Sequence, residues 1–512
     1  MTSEFSPRAW RIAAALILLL AAVLRFYDLD LKPLHSDEGV NGFFVTRLFR
    51  EGFYRYDPAA YHGPTLYYFA LITTTINSLF FGKYGLSTFA IRSVPVLFGM
   101  ATVWLVLHLR RHLGAVGGLS AATLVAVSPG AVYFSRDFIH ETPFVFFTLA
   151  LVVAGGWYYE TARPTYLLLA SASAALLFAT KETALISAVV LALALLCTVV
   201  YQRLRRAAPR RVIAKSRRPV GWERFGSGAR IAILWLVAVL VFLNGIVSFY
   251  SSFFTQPQSV AGVVETFKFW VKTGQTAHRY AWYKYLELLS REELPLLVLG
   301  VAGAALAVWR ASNRFALFAG LWAFGLLGAY SLTPYKTPWL ALNFIVPLAL
   351  VGGYAVEVIS GMGKENRHRR AWSLVLAIVV PALCIALYQT IRLNFHHYDD
   401  DRYPYVYAQT RRGFLRLVDE INEIAGRAGT GKQTTVTVTS PDYWPLPWYL
   451  RDSKNVSYYG RVIAPQEKIV VCSEKQEPEL LRLLAGRYER VGSYPLRPGV
   501  TLVLFARHDA GP

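Results

Sequence analysis

Long apolar runs separated by short hydrophilic breaks dominate the first 394 positions. Stretches such as 183–200 and 371–388 approach or reach the roughly 18–20 apolar residues that cross a ~30 Å hydrocarbon core. The pattern predicts transmembrane helices at approximately 9–26, 88–108, 115–134, 142–160, 164–181, 183–202, 231–253, 293–309, 314–331, 338–359 and 371–392. The first follows SPRAWR and has the charged and apolar parts of a secretory signal. Arg25, Phe26 and Tyr27 then follow without a small-x-small cleavage site, so it reads as an uncleaved helix. A further segment, TLYYFALITTTINSLFF at 65–81, is long enough to be counted on length alone. Its Thr73, Thr74, Thr75 and Asn77 suit a helix along the outer surface, or one that dips in and returns.

From about 395 the pattern changes. TTVTVTS, KIVVCS and TLVLFAR read as β-strands, while 405–427 and 476–487 carry helical periodicity. The expectation is a mainly α polytopic membrane protein of about eleven transmembrane helices with a small C-terminal α/β domain. Residues 1–394 form the membrane domain, with juxtamembrane outer helices in 27–87 and an outer loop at 254–292. Residues 395–512 form an extracytoplasmic domain.

A net charge of +21 on 512 residues could suggest nucleic acid, so its distribution decides. Much of it falls in four breaks: HLRRHLG (108–114), Arg203 to Arg230, WRASNR (309–314) and GKENRHRR (363–370). By the positive-inside rule all four are cytoplasmic, which holds only if 65–81 does not cross. Nucleic acid is therefore not an expected partner; the bilayer is. The N-terminus is then cytoplasmic, and 27–87, 135–141, 180–183, 254–292, 332–337 and the tail share the outer face. Cys197 and Cys384 lie in apolar spans and Cys472 in the tail, so no disulfide framework or cysteine zinc site is suggested. Gly426 to Lys432 nearly spells a phosphate-binding loop. Gln433 stands where Ser or Thr should hold magnesium, and the order helix, loop, strand is wrong for that motif.

The outer face collects the unusual polar residues. In HSDEG, Asp37 or Glu38 could take a proton from an acceptor hydroxyl, or Ser36 or Asp37 could simply cap the next helix. SRDFIHE packs Arg136, Asp137, His140 and Glu141 beside the bilayer, where charges are costly. They could anchor a helix end in the headgroups, and Asp137, His140 and Glu141 could hold manganese, magnesium or zinc. Lys181, beside Glu182 in FATKETAL, and Lys336 in SLTPYKTPW each need an anion or a snorkelling route to water. In PDYWPLPWYLRD, Asp442, Tyr443, Trp444 and Trp448 could stack on a sugar or pack against protein.

Taken together, the Asp-Glu pair after the first helix, YHGPTLYYF, the IRSVPVLFGMATVWLVLHLRRHLG stretch, SRD and TKE resemble the GT-C glycosyltransferases. The nearest groups are the protein O-mannosyltransferase and lipid A aminoarabinose transferase superfamily. Within it the chain looks most like the flippase-activity-associated proteins of archaeal N-glycosylation, through HSDEGVN, YHGPTLYY, SRDFIHET, TKET and DYWPLPWYLRD. The resemblance covers 10–200 well, 331–350 fairly and the tail by one motif.

It implies a transferase that takes a sugar from a polyprenyl-phosphate donor to a protein, glycan or lipid acceptor on the outer face, usually with inversion. Asp37, with Glu38 beside it, would be the base. Arg136, Lys181, Lys336 and His62 would meet the donor phosphate, and Tyr67, Tyr335, Asp442 and Trp444 the acceptor or sugar. Gly63 stands where the family commonly has Pro. No redox cofactor is needed. A divalent metal, manganese or magnesium, is an option on Asp37, Asp137, His140 or Glu141. The alternative is a flippase for a lipid-linked sugar, or its accessory, and a third reading is a non-catalytic membrane sensor.

Overall fold

The computed structural model describes residues 6–59, 62–82, 85–207, 225, 227–266, 268, 279–361 and 368–508. Most of the basic run from Arg203 to Arg230, the start of 363–370 and the centre of 254–292 lie outside the described residues.

The first half of the chain folds into α1 (Pro7–Phe26), α2 (Ser36–Glu51), α3 (Thr65–Phe81), α4 (Thr88–His108) and the short α5 (Arg110–Leu113). There follow α6 (Ala115–Val127), α7 (Pro129–Ser135), α8 (Glu141–Thr161), α9 (Pro164–Phe178), α10 (Ala184–Ala207) and α11 (Gly228–Tyr250). Beyond the outer loop come α12 (Lys284–Glu292), α13 (Leu294–Arg310), α14 (Arg314–Leu332), α15 (Leu342–Gly361) and α16 (His368–Ile391). Among the described residues, eight helices are long and apolar enough to cross a membrane, or ten if each of two bent pairs is one span. The bends are 57° between α6 and α7 and 112° between α12 and α13. The expected eleventh span, 164–181, is the shorter α9, of 15 residues. α3 is also short, at 17 residues, burying Leu66, Tyr67, Tyr68 and Ala70 while Leu79, Phe80 and Phe81 remain exposed.

α15 is almost wholly buried and packs against α6, α13 and α14. Small residues let the backbones touch, as helices in lipid require. A Cβ on Gly353 would lie 2.3 Å from the Gly117 carbonyl of α6, and one on Gly303 of α13 would lie 1.9 Å from that of Val351.

Helix breaks leave carbonyls without intrahelical partners, and in lipid each needs one. Arg25 donates to the carbonyls of Val125 and Ala126 at the end of α6, at 3.0 and 2.9 Å, and Thr390 donates to that of Val127 at 2.6 Å. Ser128 caps α7 and donates to Glu293, at 2.6 Å, and Glu293 also accepts the Gly130 N–H at 2.9 Å. Glu293 sits at the α12–α13 break, so the two bends lock each other and fix the start of the 136–141 loop.

The bundle has two unlike ends. At one, Asn313 donates to the His112 carbonyl at 2.6 Å, Arg205 donates to that of Trp309 at 2.6 Å, and Arg111 and His112 face Glu160. The described basic breaks are thus neighbours. At the other end, Gly63 donates to the Thr180 carbonyl at 3.1 Å, and residues 32–41, 136–141 and 335–339 converge.

The C-terminal part holds α17 (Phe414–Arg427), α18 (Leu446–Tyr449), α19 (Glu477–Leu484) and a five-stranded sheet. Its strands are β1 (Val436–Val438), β2 (Val456–Tyr458), β3 (Ile469–Ser473), β4 (Tyr488–Arg497) and β5 (Val500–Arg507), in the order β2-β1-β3-β5-β4. β2, β1 and β3 are parallel and the other pairs antiparallel. Alternation sorts the faces: Val471, Leu502 and Leu504 meet α17, whereas Val470, Val503 and Phe505 meet α19. The expected helix at 405–427 begins only at Phe414; residues 405–413 form turns and irregular chain. The 426–432 segment joins α17 to β1, so it is a connection and not a phosphate loop.

Candidate active site

α2 begins in the bundle's polar end, and its first turn arranges the HSDEG residues in opposite ways. His35 is the N-cap; its Nδ1 accepts the Asp37 N–H at 3.1 Å, and Glu38 accepts the His35 N–H at 2.9 Å. Asp37 therefore turns outward, with 45% of its side chain exposed, onto a small cleft lined by Asn41, His62, His140, Glu141 and Trp339. Glu38 turns inward and is fully buried. It takes two hydrogen bonds from Arg92, at 2.8 and 2.7 Å, and the Phe138 N–H at 2.7 Å. Burial alone would raise its pKa, but the Arg92 charge and these bonds hold it below the ordinary value. The expectation that Glu38 shares the catalytic work is corrected: it clamps α2 to α4 and to the 136–141 loop.

The other acids nearby are also taken. Asp137 pairs with Lys32, whose ammonium lies over the Tyr133 ring at 3.7 Å, and burial shifts both toward neutrality, Asp137 up and Lys32 down. Glu141 pairs with Lys181. Burial would lower the Lys181 pKa, but Glu141 and Glu182 bring it above its usual value. Glu182 accepts from His62 Nδ1 at 2.9 Å; against its burial, His62 and Lys181 depress its pKa. His140 donates from Nε2 to the Gly63 carbonyl at 3.0 Å, and burial, with His62 and Lys181 nearby, keeps it far below the usual histidine value.

Two expected phosphate ligands and the residues offered as optional metal ligands on the 136–141 loop are otherwise engaged. Arg136 spends its guanidinium on the carbonyls of Leu24, Arg25, Tyr27 and Asp28, closing the end of α1, and its face lies on Phe395. Lys181 is buried against Glu141. Asp137, His140 and Glu141 are each held by a different partner, and among the described residues no three His, Cys, Asp or Glu side chains form a metal-competent group.

Lys336 is different. Its ammonium donates to the carbonyls of Thr333 and Tyr280, at 2.5 and 3.4 Å, and it has no ion pair among the described residues. Burial lowers its pKa. Tyr335, next to it, stands near Asp37: burial, and then the Asp37 charge, push its hydroxyl up; for Tyr407 burial and then Tyr280 do so, with Asp37 a smaller contributor. Tyr67, expected at the sugar, is fully buried, donating to Asn41 at 3.1 Å, and cannot reach a ligand in the cleft. Asp442 pairs with Arg497 away from the cleft, and Trp444 packs on Phe43 and Gly39 of α2, so their expected ligand contacts are corrected to structural ones.

The sequence reading missed Arg92, Lys32, Trp339 and Tyr407. An arginine inside the apolar run IRSVPVLFGM was the available signal, since a charge there demands a buried partner. Tyr407 and Trp339 carried none, because aromatic residues are common throughout.

The family model described as dolichyl-phosphate-mannose-protein mannosyltransferase matches residues 61–213. No curated protein matches by sequence. Among solved structures, ArnT from Cupriavidus metallidurans bound to undecaprenyl phosphate superposes with a TM-score of 0.62 at 16% identity, covering 99% of this chain and 100% of that one. The Archaeoglobus fulgidus oligosaccharyltransferase, tethered with an acceptor peptide containing the NVT sequon, gives 0.56 at 14%, covering 96% and 74%. The chain therefore shares the fold of these two membrane proteins.

Proposed function

We propose that this chain is a membrane glycosyltransferase that moves a sugar from a polyprenyl-phosphate donor to an acceptor hydroxyl or amide at the cleft around Asp37. One observation carries the reading. Glu38, Asp137 and Glu141 each have a buried arginine or lysine partner and Glu182 is hydrogen-bonded by the half-buried His62, whereas among the described residues Asp37 has no lysine or arginine partner, only the His35 ring at 3.8 Å whose Nδ1 already accepts the Asp37 N–H, and it faces the cleft. A carboxylate so placed can accept a proton.

The acceptor oxygen or nitrogen attacks the anomeric carbon while its proton passes to Asp37. The bond to the phosphate oxygen breaks, and the electron pair leaves on the lipid phosphate. Displacement from the opposite face inverts the anomeric carbon. Lys336, free of any carboxylate among the described residues, offers N–H donors to the departing charge, and His62, oriented through Nδ1 by Glu182, adds an Nε2–H donor when it is an imidazolium. No step is assigned to a metal. The basic end of the bundle faces the cytoplasm and the cleft the opposite side, by the positive-inside rule. ArnT binding to undecaprenyl phosphate supports a lipid-phosphate donor.

The test is full-length protein in nanodiscs given dolichyl- and undecaprenyl-phosphate hexoses or pentoses with peptide, glycan or lipid acceptors, read as released polyprenyl phosphate. Release that depends on the protein is expected. No release, alongside faster transbilayer movement of the donor in liposomes, would overturn the transferase reading in favour of a carrier.

A further inference from the structure

An N-cap needs only one short acceptor, and Ser, Thr, Asp or Asn normally supplies it. α2 uses His35 instead, and the second ring nitrogen explains what the larger side chain adds. Nδ1 accepts the Asp37 N–H, so in the neutral ring the proton is on Nε2, which donates to the Tyr407 carbonyl at 3.1 Å. The ring is buried, edge-on to Trp339. A serine or asparagine would cap the helix but could not span to Tyr407.

The same C-terminal region grips α2 and its approach at other points. Gln409 donates to the Pro33 carbonyl at 2.8 Å, and the Leu34 N–H donates to the Tyr449 hydroxyl at 2.9 Å. Farther along, Pro445 lies on Gly39 so closely that a Cβ there would come within 2.6 Å of it.

We propose that His35 is a positioning residue: its two ring nitrogens tie the Asp37 backbone to the Tyr407 carbonyl, so that seating of the C-terminal region on α2 sets where the Asp37 carboxylate points. The inference rests on the reading of Asp37 as the base, but the link itself is structural and can be measured separately. His35 touches no reacting atom; it acts through Asp37.

Two variants test it in the full-length protein. His35→Asn keeps an acceptor near the Nδ1 position and removes the donor to Tyr407. Gly39→Ala changes neither His35 nor Tyr407 and lifts Pro445 off the helix. In each, hydrogen–deuterium exchange should rise in the first turn of α2 and in 405–411, with thermal unfolding in detergent reporting retention of the fold. With the polyprenyl-phosphate sugar that the wild type turns over, kcat should fall about tenfold or more at unchanged KM, the signature of a misaimed group. Exchange and kcat both unchanged in His35→Asn would reduce His35 to an ordinary cap and overturn the proposal. So would a loss confined to KM. If exchange rises as expected but Asp37→Asn remains active, the link stands and the base assignment fails.

Discussion

At the scale of single residues, the polar end of this bundle is a set of assignments between charges. Breaking the Glu38–Arg92 pair leaves one buried charge without its partner, and Glu38 also serves two backbone N–H groups. Arg92→Met or Glu38→Leu should therefore cost about 3–5 kcal/mol, measured by unfolding in detergent. Lys336→Met should behave differently: with no ion pair to lose among the described residues, the fold should hold while donor KM rises about tenfold, as expected when a charge-assisted contact worth roughly 1.5 kcal/mol is removed. Unchanged donor KM would remove Lys336 from the phosphate site.

The pH dependence of stability follows from the glutamates. Glu38 and Glu182 have folded pKa values below the ordinary 4.5, so the folded state binds their protons less readily than the unfolded chain. Their stabilisation is complete above about pH 4.5 and lost as pH falls through the lowered folded values. Asp137 runs the other way: raised above its ordinary 3.8, it costs stability as pH climbs through that window. Glu182→Gln should flatten the acid limb of an unfolding-versus-pH curve; an unaltered limb would contradict the His62–Glu182 account. Much of this was invisible in the sequence. That Asp37 and Glu38 lie together at the start of a helix was legible from HSDEG, but which of them faces the cleft was decided by one turn of helix and by Arg92, 54 positions away.

At the scale of elements, the fit between α2 and the tail depends on glycines. A Cβ on Gly42 would meet Trp448 Cε3 at 2.5 Å, and the Trp448 ring is fixed by Thr88 and Arg451. Gly42→Ala should cost about 1–3 kcal/mol by overpacking, again read from thermal unfolding. PDYWPLPWYLRD was recognisable as a motif, and its packing role was one of two open readings, yet its partner could not be found from spacing. Helices were the most legible elements, since apolar runs of span length leave few alternatives. The bends at Val127–Pro129 and Glu292–Leu294 were not, because Ser128 and Glu293 satisfy each other only in three dimensions. β2 and the edge strand β4 escaped for another reason. β2 is three residues long, and β4 carries Pro495 and polar positions that an edge tolerates and a central strand would not.

At the scale of the whole molecule, the charge pattern proved informative, since the described basic breaks gather at one end and the acidic and aromatic motifs at the other. Single cysteines at Ser312 and Lys475, both exposed and at opposite ends of the bundle by this account, should react oppositely with a membrane-impermeant maleimide in a background lacking Cys197, Cys384 and Cys472. Labelling of Lys475→Cys alone from outside is expected; labelling of both from one side would overturn the orientation. The central claim is that Asp37 is the working carboxylate, and the most direct measurement compares donor turnover by the wild type and Asp37→Asn in nanodiscs. The account predicts a loss of about 100-fold or more in kcat with the unfolding temperature unchanged, since Asp37 holds no lysine or arginine among the described residues. Full turnover by the folded variant would contradict it.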